Sequence, residues 1–398
     1  MTYDVDRVRS WFPALSHGIA YFDGPGGSQT PRQVAEAVAA TMTAGLSNRG
    51  TVTAGERAAD EVTLGARAAV ADLVGGVAAG VVFGRSMTQL TYDLARTLSA
   101  AWGPGDEVVV TTLDHDANVR PWVQAAEAVG ATVRWAQLEP GTGELPVTAV
   151  TAVLSERTRV VAVTGASNVV GTRPDLPAIA AAAHAVGALV FVDGVHLTPH
   201  APVDFPALGA DVYACSPYKF FGPHHGALAA APSFWETVHP DKLLPSSNAV
   251  PERFELGTLP YELLAGTTAA VDTLADLAPS EGSRRERVLA SMAAAQAHED
   301  ALFTRLLDGL AGIEGVTRHG RPAHGTPTAW FSVAGRSGRE VHEALAAQGV
   351  NAPASNFYAI EASRALGLGD GGAVRAGLAP YTSDEDVDRL LAGVRGIA

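Results

Sequence analysis

Lys219 stands in the run Ser216-Pro217-Tyr218-Lys219-Phe220-Phe221-Gly222-Pro223, directly after the apolar stretch 210–215. A strand that ends in a hydroxyl, a lysine and a Gly-Pro turn places an amine at the rim of a sheet. Apolar and aromatic neighbours disfavour the ammonium form and leave the amine nucleophilic toward an aldehyde. Three more polar residues also follow apolar runs: His115 after 107–111, Asn168 after 160–164 and Asp193 after 189–192. One such Asp is equally a turn former before Gly194, and one such His is normally a satisfied rim residue. Four strand ends carrying Lys, His, Asn and Asp predict a shared pocket, because ligands of parallel α/β sheets gather outside the carboxyl ends of the strands.

The elements that must hold these residues are legible as short apolar runs alternating with Ala-rich stretches. The runs at 81–83, 107–111, 160–164 and 189–192 are continuous rather than alternating, as expected of strands with helices on both faces. Segments 123–130 and 175–187 read as intervening helices, the second capped by Asp175 and stopped by Gly187. We expect an α/β large domain over 16–260, closed by an ordered loop at 245–260 that is rich in turn formers. Residues 261–398 read as a smaller α+β domain with a long connecting helix, for which Ser283 and Glu286 form a capping box. It continues with strands near 329–333 and 373–378, helices near 338–347 and from Ser383, and a loop at 350–358. Residues 1–15 are expected to pack on that smaller domain.

Composition narrows the function. The chain has 398 residues, 47% hydrophobic, with a formal charge of −14, which argues against nucleic acid as a partner. The single cysteine, Cys215, excludes an internal disulfide and fits a reducing compartment. No uninterrupted apolar stretch reaches the roughly 18 residues of a membrane span, and the N-terminus has early acids without an apolar signal core. A cytoplasmic protein is expected. His224-His225 is an adjacent pair without a third ligand, so no metal site is expected.

Pyridoxal phosphate is the aldehyde cofactor that uses a desolvated lysine. Its pyridine nitrogen needs a buried carboxylate, for which Asp193 is the candidate. Its phenolic oxygen needs donors, which Asn168 and His196 can supply. Its ring needs a flat partner, and His115 can stack there or move protons at a substrate. Its phosphate needs backbone N–H groups at a helix start plus hydroxyls, and Gly84-Arg85-Ser86-Met87-Thr88 fits a strand–turn–helix of that kind.

The order and spacing of these pieces resemble the class V aminotransferase family, in its cysteine desulfurase/selenocysteine lyase-like (SufS-like) branch. The matching blocks are Tyr21-Phe22-Asp23, Asn48-Arg49-Gly50, Asp114 to Asn118 with Pro121-Trp122, Ser167 to Thr172, Val192 to His196, Ser216 to Pro223, Arg253 to Thr258, and Arg375 to Leu378 followed by Tyr381-Thr382. The resemblance implies the aspartate aminotransferase-like fold-type I architecture, with a mixed seven-stranded sheet in the large domain, and a homodimer. It implies that Lys219 forms the internal Schiff base, His115 stacks on the ring, Asp193 holds the pyridinium, and Asn168 and His196 contact the phenolic oxygen. Thr88 and Ser216 would bind phosphate, with Thr258 reaching it from the other subunit, and Ser86, Met87, Tyr218 and Gly257 would also contact the cofactor. Arg375 would clamp the carboxylate of an amino-acid substrate, with Asn356 and His225 at the substrate side.

The pattern is broken at one place. The desulfurases carry a cysteine on the loop before the carboxylate-binding arginine, and residues 350–358 contain none. Persulfide storage needs a thiolate nucleophile. The expectation is a lyase that cleaves a C–S bond of a cysteine-derived substrate by β-elimination and forms no persulfide. An epimerase, an aminotransferase, a decarboxylating enzyme and a non-catalytic cofactor-binding scaffold remain as alternatives.

Overall fold

The computed structural model describes residues 3–398. Seven strands build the large sheet: β1 (Val81–Gly84), β2 (Glu107–Thr111), β3 (Thr132–Ala136), β4 (Thr158–Thr164), β5 (Leu189–Asp193), β6 (Val212–Cys215) and β7 (Gly226–Ala230). Their order across the sheet is β1-β7-β6-β5-β4-β2-β3. Strands β2 to β6 pair in parallel, and β7 runs antiparallel to both β6 and β1, so the sheet is mixed, as expected.

The continuous apolar runs have a direct cause. Val161 and Val163 of β4 face one core with Val190 and Val192 of β5, while Val160, Ala162 and Phe191 face a second core on the opposite side. The first core is closed by helices α2 (Ala54–Val74) and α5 (Leu176–Ala185), the second by α3 (Met87–Ser99) and α4 (Arg120–Val129). Caps set the helix starts. Thr53 and Glu56 form a capping box before α2, Ser86 caps α3, and Asp175 caps α5 by accepting from the Ala178 N–H.

Among the elements not anticipated are two strands of the large sheet and a helix that covers it. Thr132-Val133-Arg134-Trp135-Ala136 forms β3 at the sheet edge, where only one side is well covered, so polar residues interrupt it. Gly226-Ala227-Leu228-Ala229-Ala230 forms β7 without a single β-branched residue, because both faces lie against close-packed helices and strands. Helix α6 (Tyr261–Ala275) packs against α1 (Arg32–Met42) and α2, and its Leu264, Val271 and Leu274 join the large-domain core. It therefore lies with the large domain, although the sequence assigns it to the smaller one.

Helix α7 (Arg284–Ala311) starts at the expected Ser283–Glu286 capping box and leads into a four-stranded antiparallel sheet. That sheet orders β10 (Ala354–Ser355), β11 (Ala373–Gly377), β9 (Thr328–Val333) and β8 (Val316–His319). Leu302, Leu306, Phe331, Val374 and Leu390 form its core. Ala20–Tyr21 pairs in parallel with Val350–Asn351, and Ala20 and Phe22 are buried in this small-domain core rather than in the large one. The segment expected to pack there, 1–15, is described from Tyr3 onward; Met1 and Thr2 lie outside the described residues. Its Tyr3 hydroxyl donates to the Pro380 carbonyl and Arg9 pairs with Asp386 at 2.6 Å, while Arg7 donates to the Leu277 carbonyl beyond α6.

A buried ion-pair network ties the 251–258 loop to the first strand. Arg67 meets Glu255 at 2.9 Å and Glu252 at 3.2 Å, and donates to the Val81 carbonyl. The second oxygen of Glu255 accepts the Phe83 N–H at 3.0 Å. The side chains of Arg67 and Glu255 are 2% and 4% exposed, so removal of either partner strands a charge in low dielectric. Arg67→Ala is expected to lower unfolding free energy by about 3–5 kcal/mol, measured by urea denaturation. A loss near zero would show that water already shields the Glu255 carboxylate.

Candidate active site

A cavity of about 580 Å³ opens at the carboxyl ends of β2, β4, β5 and β6. Around it stand Ser86, Met87, Thr88, His115, Asn168, Asp193, His196, Ser216, Tyr218, Lys219 and Arg375. Residues up to 350 positions apart in the chain, counted from Pro25 to Arg375, thus share one space. Four of the sequence candidates lie elsewhere. The Asn356 amide donates to the Asp370 carbonyl, beyond the helix at Ile360–Ala365, and accepts from the Tyr358 N–H in its own loop. His225 is buried behind β7, bonded to the Thr267 hydroxyl at 2.5 Å and set edge-on to Phe83. Gly257 and Thr258 are exposed on the single chain and do not line the cavity.

Lys219 ends a short 3-10 turn, Pro217–Lys219, that follows β6. Its Nζ donates to the Pro25 carbonyl and lies 5.0 Å from the centre of the Tyr218 ring. No carboxylate lies within ion-pair distance among the described residues. Burial, and then the charge of Arg375, lower its pKa to about 7, against the opposing pull of Asp193 and Asp23. The amine is therefore substantially uncharged near neutral pH.

Asp193 is the last residue of β5, in register with Thr164 and Ala214 of the flanking strands. One carboxylate oxygen accepts the Val195 N–H at 2.9 Å. Burial raises its pKa to about 6, partly offset by that N–H and by the charge of Lys219. The next residue must be glycine, because a Cβ at Gly194 would stand 1.9 Å from the Tyr213 ring.

His115 is fixed by its turn. Buried Asp114 accepts from the hydroxyl of Thr111 and from the Asn118 amide at 2.7 Å, and Trp122 donates to Asn118. The His115 Nδ1 accepts the Ala117 N–H at 3.0 Å, which leaves the ring proton on Nε2. Burial lowers its pKa to about 3, so the ring is neutral. A neutral imidazole with both nitrogens assigned suits stacking or donation better than proton abstraction.

Arg375 is almost fully buried on β11. It donates to the Asn168 carbonyl at 3.0 Å, and its guanidinium lies 3.7 Å from the Phe357 ring centre. Its Nε has no partner, and burial lowers its pKa to about 9. Asn168 spends an amide N–H on the Phe357 carbonyl and leaves its Oδ1 unpartnered. His196 meets the Thr326 and Thr328 hydroxyls through Nε2, while Nδ1 is free of partners. Buried polar atoms rarely remain unpaired in the absence of a ligand or water.

The expected loop at 350–358 brings in two residues that the sequence did not single out, Phe357 and Tyr358. Phe357 and Tyr358 both adopt left-handed backbone, at φ 50° and 60°, which is uncommon for bulky residues. The Asp116 N–H to Tyr358 carbonyl bond at 2.7 Å and the Asn168 to Phe357 bond pin this loop to the large domain. Tyr358 thereby reaches His115, with ring centres 5.5 Å apart. Asp116 and Arg120 also line the cavity, and Arg120 pairs with Glu361 outside it at 2.8 Å. Paired left-handed residues leave no signature when neither is glycine or asparagine.

The set fits a planar, charged, aldehyde-bearing cofactor with a phosphate. Lys219 offers an uncharged amine and Asp193 a buried carboxylate. The N-terminus of α3 offers backbone N–H groups beside Ser86 and Thr88. Arg375 offers a desolvated cation with unused donors for a carboxylate. Among the described residues no group of three His, Cys, Asp or Glu is arranged to hold a metal ion, and no helix is long and apolar enough to cross a membrane.

Residues 20–390 match the aminotransferase class-V family. The chain is 37% identical to an uncharacterised protein of Mycobacterium tuberculosis, over 98% of each chain. It is 32% identical to a probable cysteine desulfurase of Pseudomonas aeruginosa, over 96% of each. Its structure superposes on a crystal structure of a cysteine desulfurase from Escherichia coli with a TM-score of 0.87 and 26% identity, covering 99% of this chain and 98% of the other.

The depressed lysine pKa has a direct consequence. Reductive alkylation of the apo-protein by a small aldehyde and borohydride is expected to modify Lys219 first. The uncharged amine is the reactive form, so the rate should rise with pH through about 7 and level off above it. Peptide mass spectrometry locates the label; a midpoint near that of an ordinary lysine would sink the desolvation argument.

Proposed function

The chain belongs to the class-V aminotransferase family, whose members depend on pyridoxal 5′-phosphate, and on that premise we propose a lyase that cleaves the C–S bond of a cysteine-derived amino acid without storing sulfur as a persulfide. The observation that carries this reading is the separation of the amine from the thiol. Lys219, Asp193 and Arg375 border one cavity, whereas the only cysteine, Cys215, is buried on β6 and does not line it. Burial, and then the charge of Asp193, push the Cys215 thiol up to about 12, which makes it a poor nucleophile. The loop that carries a cysteine in the desulfurases instead holds Ser355, Asn356, Phe357 and Tyr358, pinned by the hydrogen bonds described above.

Each side chain has a role in this reading. Lys219 would hold the cofactor through its amine, Asp193 would keep its ring nitrogen protonated, and His115 would cover the ring. Asn168 and His196 would contact the phenolic oxygen. Ser86, Met87, Thr88 and Ser216 would hold the phosphate. The bound cofactor supplies an electron sink next to the substrate α-carbon. Arg375 orients the substrate carboxylate. Lys219 Nζ, held uncharged in a large fraction near neutral pH by burial, takes the α-proton. The substrate loses a thiol from Cβ and, with one water, yields pyruvate and ammonia. A homodimer in which Thr258 of one chain completes the phosphate site of its partner accords with the exposure of Gly257 and Thr258 on the single chain.

The holoenzyme is expected to absorb visible light and to lose that band on borohydride treatment. Lys219→Ala should abolish both the covalent attachment and turnover, while Cys215→Ala leaves kcat unchanged. Pyruvate and a free thiol from S-substituted cysteines support the reading. A D-amino acid, a keto acid that retains the side chain, or loss of activity in Cys215→Ala overturns it. Arg375→Lys is expected to raise KM roughly 10- to 100-fold, the range that one to two charged hydrogen bonds supply. An unchanged KM would remove Arg375 from substrate binding.

A further inference from the structure

A second cavity of about 400 Å³ adjoins the first and shares Gly26, Tyr218, Phe357 and Arg375 with it. Gly26 stands where the two meet: a Cβ there would lie 3.2 Å from Arg375 Nη2. The imidazole of His224 stacks on Tyr218, with ring centres 4.6 Å apart and planes 11° from parallel. Phe357, itself stacked on the Arg375 guanidinium, supplies a further aromatic surface. Asp23 also lines the space; one of its oxygens accepts the Asn351 amide and the other has no partner.

We propose that this second cavity receives the substrate side chain, and that it selects cysteine S-conjugates bearing a planar aromatic group that is neutral or cationic. The inference rests on the cofactor site and the lyase reading proposed above. Its size carries the first part. A space of 400 Å³ falls within the range of pockets that bury drug-sized ligands, about 300–1,000 Å³, far beyond the CH₂–SH of cysteine. The walls carry the second part. A flat His224–Tyr218 stack and the Phe357 ring offer π-faces, which favour offset or edge contacts with another aromatic ring. The charge carries the third. Arg375 is engaged by the α-carboxylate, so a second anionic group in this space would meet Asp23 without a free cation. In the cleavage the Cβ–S pair leaves with sulfur, sulfur gains a proton, and the product is an aryl thiol beside pyruvate and ammonia.

Binding is tested on the holoenzyme through the change in its visible band on titration with S-phenylcysteine, S-cyclohexylcysteine, S-(4-carboxyphenyl)cysteine and S-methylcysteine. S-Phenylcysteine is expected to bind roughly ten-fold more tightly than each of the others. Gly26→Val narrows the junction and His224→Ala removes one layer of the stack. Each should shrink that preference to about three-fold or less. Equal dissociation constants in the wild-type protein, or a preference that survives both substitutions, overturns the proposal. S-Methylcysteine separates the two levels. If it shifts the band while the aryl preference is absent, the cofactor site stands and the side-chain assignment falls. If no amino acid shifts the band, the cofactor reading fails and takes this inference with it.

Discussion

Desolvation of two cations in one cavity governs this molecule. Lys219 and Arg375 are both held out of water, and among the described residues neither forms an ion pair with a carboxylate. Burial weakens both charges, and the charge of Arg375 further lowers the proton affinity of Lys219. Lys219 responds by giving up its proton near neutral pH. Arg375 cannot, because its pKa of about 9 still keeps it charged. The result is one uncharged amine and one unsatisfied cation facing the same space, complementary to an aldehyde and a carboxylate respectively.

The scaffold exists to keep these groups in place. Both faces of the parallel strands are buried, so their carboxyl ends are rigid points from which His115, Asn168, Asp193 and Lys219 depart. The small domain then brings Arg375 across on β11, and the strained 355–358 loop closes between the two through bonds to Asp116 and Asn168. That loop presents aromatic rings: Phe357 lines both the first cavity and the second one beside Arg375, and Tyr358 lines the first.

The large-domain strands and their order of appearance were readable because each is a continuous apolar run, and the caps Asp175 and Ser283–Glu286 were readable because their chemistry is local. Strands β3 and β7 were not: one is interrupted by its edge position, the other is all Gly, Ala and Leu and becomes a strand only between its neighbours. Helix α6 was absorbed into the connecting helix, since nothing local distinguishes a helix that covers one domain from a helix that joins two. At the site, residues following predicted strands came together as expected. Asn356 and His225 did not, because neighbours in sequence to a site residue can point to the opposite side of a strand or turn.

By itself the sequence determined the family, the mixed α/β architecture, the identity of the cavity's amine and carboxylate, and the absence of a thiol from the 350–358 loop. Those properties are written in residue types at fixed spacings along single strands and turns. Tertiary structure decided the shifted proton affinities of Lys219 and His115, the burial of Arg375, and the existence of a second space walled by Tyr218, His224 and Phe357. Those depend on burial and on which distant segments meet. Solvation and long-range packing are properties of the folded surface, and no local pattern encodes them.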